Sequence, residues 1–301
     1  GGNVYLKTLT VSRGQLIRYR YSRGDVYPIL EHTVDGKPVR YRIAHVKNTG
    51  EIHDLIARWE DTSYTGETTG QITGKITAQN NGEPLPGMLI SGGGRQTFSL
   101  ADGRFILTGL QPGVHNLVIT APDGQYLPFQ QGAQVAARSN TYIPVNLQTA
   151  AFVDITFIVT VPPETPPEQL RLYGNLVQTG NTLSDLPGGT SVTTDRAPTL
   201  IPIGENQYGI ILSLPVGMDF RYKYSLGDGL WNAEHRPDGA FYTRKLIVPD
   251  QAMEVIDTVH SWKVAQMEPI TFEVLVPDST PGNEKIYLQL NAYGWGTRLQ
   301  M

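Results

Sequence analysis

An internal repeat constrains this chain more than any other feature of its sequence. Residues 1 to 59 align without a gap on residues 204 to 262. Gly1, Asn3, Tyr5, Leu9, Gly14, Arg18, Tyr19, Tyr21, Ser22, Gly24, Asp25, Glu31, His32, Asp35, Gly36, Glu51, Asp54 and Trp59 each meet the same residue, 18 identities in 59 positions. They fall on glycines, aromatics and turn residues, as in IRYRYSRGD ending at Asp25 against FRYKYSLGD ending at Asp228. Agreement at that density and in those residue types marks two copies of one folded unit.

A second repeat joins the far end. DITFIVTVPPETPPEQLRLYGN, ending at Asn175, matches PITFEVLVPDSTPGNEKIYLQLN, ending at Asn291, with one inserted residue. Ile155, Phe157, Val159 and Val161 alternate with more polar or outward positions, and Ile270, Phe272, Val274 and Val276 repeat that face. Period two predicts a strand with one side on a core. Residues 152–264 therefore read as one complete module, residues 269–301 as the beginning of another, and residues 1–66 as its end. Only Leu186 to Ile203 of the complete copy has no counterpart, and its Gly, Pro, Thr and Ser content reads largely as loop.

The length of 301 residues suits two or three modules of about 100 residues rather than a single core. Thirty-two Gly and 21 Pro supply turns for many short strands. The absence of cysteine removes disulfides, thiolate metal sites and thiol nucleophiles together. A net charge of −4 offers no basic stripe for a phosphate backbone, so no nucleic-acid partner is expected. No apolar run approaches the roughly 20 residues of a membrane span. The chain opens on Gly-Gly-Asn with no leader-like segment, which leaves export open.

The complete module resembles the starch-binding type of carbohydrate-binding β-sandwich. The resemblance is carried by ITFIVTVP, by FRYKYSLGDGLWNAEH with its Trp-x-x-Glu, and by MEVIDTVHSW. It implies that Trp231 stacks on a glucose face; the N-terminal copy has Pro28 at that position with Tyr27 adjacent, and Tyr27 and Trp295, in the irregular NAYGWGTR, are further carbohydrate-binding candidates from the residues themselves. Between the copies, residues 70–149 resemble the carboxypeptidase regulatory-like domain, a small transthyretin-like sandwich, through GKITAQNNGEPLPGMLISGGG, SLADGRFILTGLQPGVHNLVI and TYIPVNLQ. Asn80-Asn81-Gly82, Asp102-Gly103 and Pro112-Gly113 give it turn residues, and Leu107, Leu110, Leu117 and Ile119 give it core. That resemblance implies a spacer or attachment module without catalysis.

Other motifs have plainer readings. Trp59 and Trp262 recur in a final strand and are expected in the core. Glu31-His32 and Glu234-His235 recur too, but neighbouring strand residues point to opposite faces, so the pair does not converge on a metal. In Arg23-Gly24-Asp25 the partner copy keeps only Gly227-Asp228, which assigns Gly-Asp to a turn and makes the Arg incidental. Lys75 and Asn146 lie in first and last strands, as in pilin-type sandwiches that form Lys–Asn isopeptide links; no acidic residue occurs between His115 and Ala121, so no such bond is expected. No Gly-x-Ser-x-Gly, Walker loop or His-Glu-x-x-His is present.

The expectation is an all-β, non-enzymatic chain of tandem Ig-like or starch-binding-like sandwiches, the terminal one split between the N- and C-terminal ends. No cofactor or metal is expected. The favoured role is a structural subunit or segment of an extracellular fibre or cell-surface stalk, its partners being copies of itself or the rest of a longer chain. Inter-subunit strand pairing would use Ile270, Phe272, Val274 and Val276 on one side and Tyr5, Ile17, Tyr19 and Tyr21 on the other. The alternative is a set of α-glucan-binding modules of a larger secreted protein, with polysaccharide as partner.

Overall fold

A computed structural model describes residues 4–24, 27–166, 170–180, 196–227, 232–238, 242–262, 271–277, 280–281, 285–290 and 294–300. Among them the fold is β throughout; the only helical element is a single 3-10 turn, Val177–Thr179. The chain divides into two compact units, residues 1–152 with 215–219, and residues 153–214 with 220–301.

In the first unit the N-terminal segment supplies β1 (Leu16–Tyr19), β2 (Ser22–Arg23), β3 (Ile29–His32), β4 (Arg42–His45) and β5 (Arg58–Trp59). β1 pairs with β4, and β3 pairs with β2 and β5, all antiparallel.

The middle sandwich follows with β6 (Gly70–Ala78), β7 (Leu89–Gly92), β8 (Arg95–Phe98), β9 (Arg104–Leu110), β10 (Gly113–Thr120), β11 (Phe129–Val135), β12 (Asn140–Tyr142) and β13 (Val145–Leu147). One sheet runs β11-β10-β7-β8; in the other, β6 pairs antiparallel with β9 and parallel with β12 and β13. The alternation along β6 buries Ile72 and Ile76 against Phe105, Leu107, Leu110, Leu117 and Ile119, as the period-two pattern requires. Gly103 takes φ +78° where a Cβ would lie 2.4 Å from the Ile76 carbonyl oxygen, so the Asp-Gly turn admits no other residue without displacement.

The N-terminal segment packs on this sandwich. The Asn116 amide donates to the Ile43 carbonyl (3.2 Å), the His45 backbone N–H donates to Gln130 Oε1 (2.7 Å), and Gln96 donates to the Tyr41 carbonyl (3.1 Å). Val39, Tyr41 and Ile43 are buried, so β4 is a covered strand and not a free edge.

The second unit holds the complete module: β14 (Phe152–Thr160), β15 (Leu170–Gly174), β16 (Ile201–Gly204), β17 (Gln207–Pro215), β18 (Asp219–Leu226), β19 (Arg244–Ile247) and β20 (Met253–Thr258). One sheet has the order β16-β17-β14-β20 and the other β15-β18-β19. β14 and β20 are parallel, in register from Ile155 opposite Met253 to Thr160 opposite Thr258. Ile155, Phe157, Val159 and Val161 all face the core, where Phe157 meets Phe220 and Tyr222. Beyond it, β21 (Tyr287–Leu290) and β22 (Gly294–Gln300) form an antiparallel pair.

Candidate functional site

The most specific chemistry in the chain is a buried ionic cluster built twice. In the complete module, Arg244 on β19 grips Glu234 through Nη2 (2.7 Å) and Nε (3.0 Å), and donates through Nη1 to Asp257 on β20 (2.7 Å). The phenols of Tyr222 and Tyr224 on β18 donate to the other Asp257 oxygen at 2.9 and 2.8 Å. The Tyr224 backbone N–H donates to Glu234 Oε1 (3.0 Å), and the guanidinium lies 5.4 Å from the Tyr224 ring centroid.

The N-terminal segment reproduces this arrangement bond for bond. Arg42 grips Glu31 (2.7 and 3.0 Å) and donates to Asp54 (3.0 Å); Tyr19 and Tyr21 donate to Asp54 at 2.7 and 3.0 Å; the Tyr21 N–H donates to Glu31 (2.9 Å). The second Nη2 proton goes to the Leu55 carbonyl (2.9 Å) in one copy and the Thr258 carbonyl (2.7 Å) in the other.

Burial alone would disfavour the cation, but the hydrogen bonds and charge of Glu31 and Glu234, with the aspartates behind them, raise both arginine pKa values above the ordinary one. Burial first, and then the aspartate charge, raise the four phenols well above the usual tyrosine range, so they stay protonated as donors. In the complete module the cluster ties β20 of one sheet to β18 and β19 of the other. It is a structural rivet, its guanidinium, carboxylates and phenols bonded to one another.

The arginine escapes an ungapped reading of the sequence. That alignment sets Tyr41 against Arg244 and Arg42 against Lys245, whereas the structure equates Arg42 with Arg244 across a loop one residue different in length. A one-residue gap after Gly36, compensated before Glu51, exposes the match. The recurrence of Glu31 and Glu234 thus reflects the Glu–Arg clamp.

The two copies differ in what surrounds the rivet. The complete module inserts β14 between β17 and β20. In the N-terminal segment the counterparts of β17 and β20, residues 4–12 and 50–55, belong to no strand. Tyr208 on β17 is 7% exposed, and its equivalent Tyr5 is 86% exposed. Along β18 every residue but Arg221 is buried, while the equivalent run from Leu16 to Arg23, including Ile17, Tyr19 and Tyr21, is half-buried or exposed. The equivalent of β14 lies in residues 271–277, which are unpaired; Phe272 is 48% exposed where Phe157 is fully buried, and Val274 and Val276 are exposed with it. Ile270 lies outside the described residues.

No protein-family model matches this sequence, and no curated protein matches it. Among solved structures, a Streptococcal ancillary pilin matches at 11% identity over 81% of this chain and 74% of its own, with a TM-score of 0.31. The Bacillus anthracis TIE protein matches at 12% over 64% of this chain (TM-score 0.26), and the gamma-CGTase of an alkalophilic Bacillus clarkii at 14% over 67% (TM-score 0.27). This chain spans only 34% and 29% of those two proteins. At such scores these likenesses carry no argument beyond the β-sandwich that the strand pairing itself establishes.

The remaining candidates separate clearly. Trp262 is buried and its indole N–H donates to Thr165 Oγ1 (2.9 Å); Trp59 is half-buried beneath Arg23, 5.6 Å from its ring centroid. Arg23 itself pairs with Asp61 and Gly24 has φ +88°, a local use of the Arg-Gly-Asp triplet, whose Asp25 lies outside the described residues. Tyr27 is 84% exposed. Trp231 and the side chain of Trp295 lie outside the described residues. Lys75 and Asn146 are exposed, and Asn146 Oδ1 accepts from Thr77 (2.6 Å). Among the described residues no group of three or more His, Cys, Asp or Glu is placed to hold a metal, and no helix is long and apolar enough to cross a membrane.

Proposed function

We propose that this chain is a non-enzymatic structural subunit of an extracellular fibre or cell-surface stalk, in which residues 269–301 of one copy begin a sandwich that residues 1–66 of another complete. The contrast between Tyr208 and Tyr5 carries this reading. The same residue at the same repeat position is buried on β17, which pairs beside β14, and exposed in residues 4–12, which belong to no strand. Exposed apolar surface and open strand edges are costly in water, and adding a strand satisfies both. One end of each copy then meets the opposite end of the next, an arrangement that need not close.

The rivet suits this role. Asp54 is already held by Arg42, Tyr19 and Tyr21 without a partner strand. Preorganisation of that kind reduces the ordering cost of association.

Sedimentation of the 301-residue chain against concentration tests the proposal. Species at multiples of 33.2 kDa that return to 33.2 kDa on denaturing electrophoresis are expected. A species fixed at 33.2 kDa at all concentrations defeats the reading.

A second reading, polysaccharide binding, is supported by the exposed ring of Tyr27 beside the position equivalent to Trp231. Stacking on a sugar face is worth on the order of 1 kcal/mol, so retention on immobilised amylose should be lost in Trp231→Ala. Unretained wild-type protein sinks this second reading.

A further inference from the structure

Resting on the split-sandwich reading, we infer the register of the junction: residues 271–275 of one copy lie parallel to residues 51–55 of a second copy, with Thr271 opposite Glu51, Glu273 opposite His53, and Leu275 opposite Leu55. The complete module supplies the template. There Thr156 stands opposite Glu254, Ile158 opposite Ile256 and Thr160 opposite Thr258. These are the outward-facing pairs of β14 and β20, since the intervening Phe157, Val159 and Asp257 are buried.

Carrying the repeat offsets across converts each pair as a pair. Thr/Glu stays Thr/Glu. Ile/Ile becomes Glu/His, an apolar contact exchanged for one of opposite charge whenever the imidazole is protonated. Thr/Thr becomes Leu/Leu. Both members of each changed pair change together and remain complementary, although they sit more than 200 residues apart in sequence. Directly opposed side chains on one face of a sheet are the contacts that select a partner strand, and a slip of one residue would turn the whole set to the other face.

The exposure of several members of these pairs fits this assignment. Leu275 is 98% exposed, and Leu55 is half-buried against Gly113. The His53 imidazole lies 3.5 Å from Glu51, both largely in solvent. On the inward face the same register sets Phe272 over Ile17 and Tyr19, as Phe157 sits on Phe220 and Tyr222.

The chain contains no cysteine, which makes the register directly testable by cross-linking. The double variant Glu273→Cys, His53→Cys of the 301-residue chain is assembled, mildly oxidised and run on a non-reducing denaturing gel, beside Glu273→Cys, Glu51→Cys as a same-face control two residues out of register. Cysteines whose Cα atoms are more than about 7 Å apart cannot bridge, so a ladder of covalent multimers is expected from the first variant and its near-absence from the second. A ladder from the control, or from neither variant while sedimentation still shows multimers, overturns the register and leaves head-to-tail assembly standing. A cross-linked band at monomer mass shows the strand folding back on its own chain and overturns the second copy as occupant. If both variants and the wild type sediment only as monomers, the split-sandwich reading itself fails.

Discussion

An arginine buried between two carboxylates is tolerable only while every charge has its partner, and both copies meet that condition with the same five side chains. Removing the cation leaves two carboxylates facing each other in a dry site, an effect of about 3 kcal/mol or more. Arg244→Met is therefore expected to lower the denaturant-unfolding free energy of the second unit by about that amount, read by urea titration; a change below about 1 kcal/mol would deny the rivet its role. The histidines set a pH dependence. Burial first, and then Lys47, depress His45 to about 4, and burial also depresses His115. For a group whose folded pKa lies below its ordinary value of about 6.5, the unfolded chain binds the proton more tightly. The stabilisation is then complete above pH 6.5 and is lost as pH falls toward 4. The melting temperature of the first unit should accordingly drop between pH 6.5 and 4.5, and His45→Gln should flatten that drop.

Strands were the most legible level. Alternation in DITFIVTVP marks a one-sided strand, and β14 has that pattern of burial. The turn glycines fall where sequence places them, with Gly82, Gly103 and Gly113 all at positive φ. The partner of Glu31 and Glu234 was hidden, because strands conserve facing and not sequence spacing, and one extra loop residue shifts an ungapped comparison off the arginine. The cover over β4 was hidden as well, since Ile43 looks like an ordinary strand residue and its burial comes with the packing of β4 on β7 and β10. Equivalent strand positions should now behave differently. Val159 is fully buried, and an unpaired charge placed there costs several kcal/mol, so Val159→Asp is expected to unfold the second unit. Val274→Asp, at the same repeat position, should leave the circular dichroism melt of the dilute subunit unchanged while abolishing sedimenting multimers. Equal damage from both would mean that residues 271–277 already sit in a core.

On the scale of the whole molecule, assembly should be visible as protection. Backbone amides of residues 4–12, 50–55 and 271–277 are expected to exchange rapidly with deuterium in the dilute subunit and to slow together in assembled material; slow exchange in the 33.2 kDa species would contradict the open sites. The complete module and the middle sandwich share one further design: the strand on which the chain comes in, β14 or β6, lies beside and parallel to the strand on which it goes out, β20 or β12 and β13. Parallel neighbours held at opposite ends respond to tension by sliding. A pull along the chain therefore loads the hydrogen bonds from Ile155–Met253 to Thr160–Thr258 simultaneously, in shear, instead of peeling them one at a time from a free end. Each such sandwich resists stretching most strongly along the line of its own polypeptide, the mechanical direction a tether experiences.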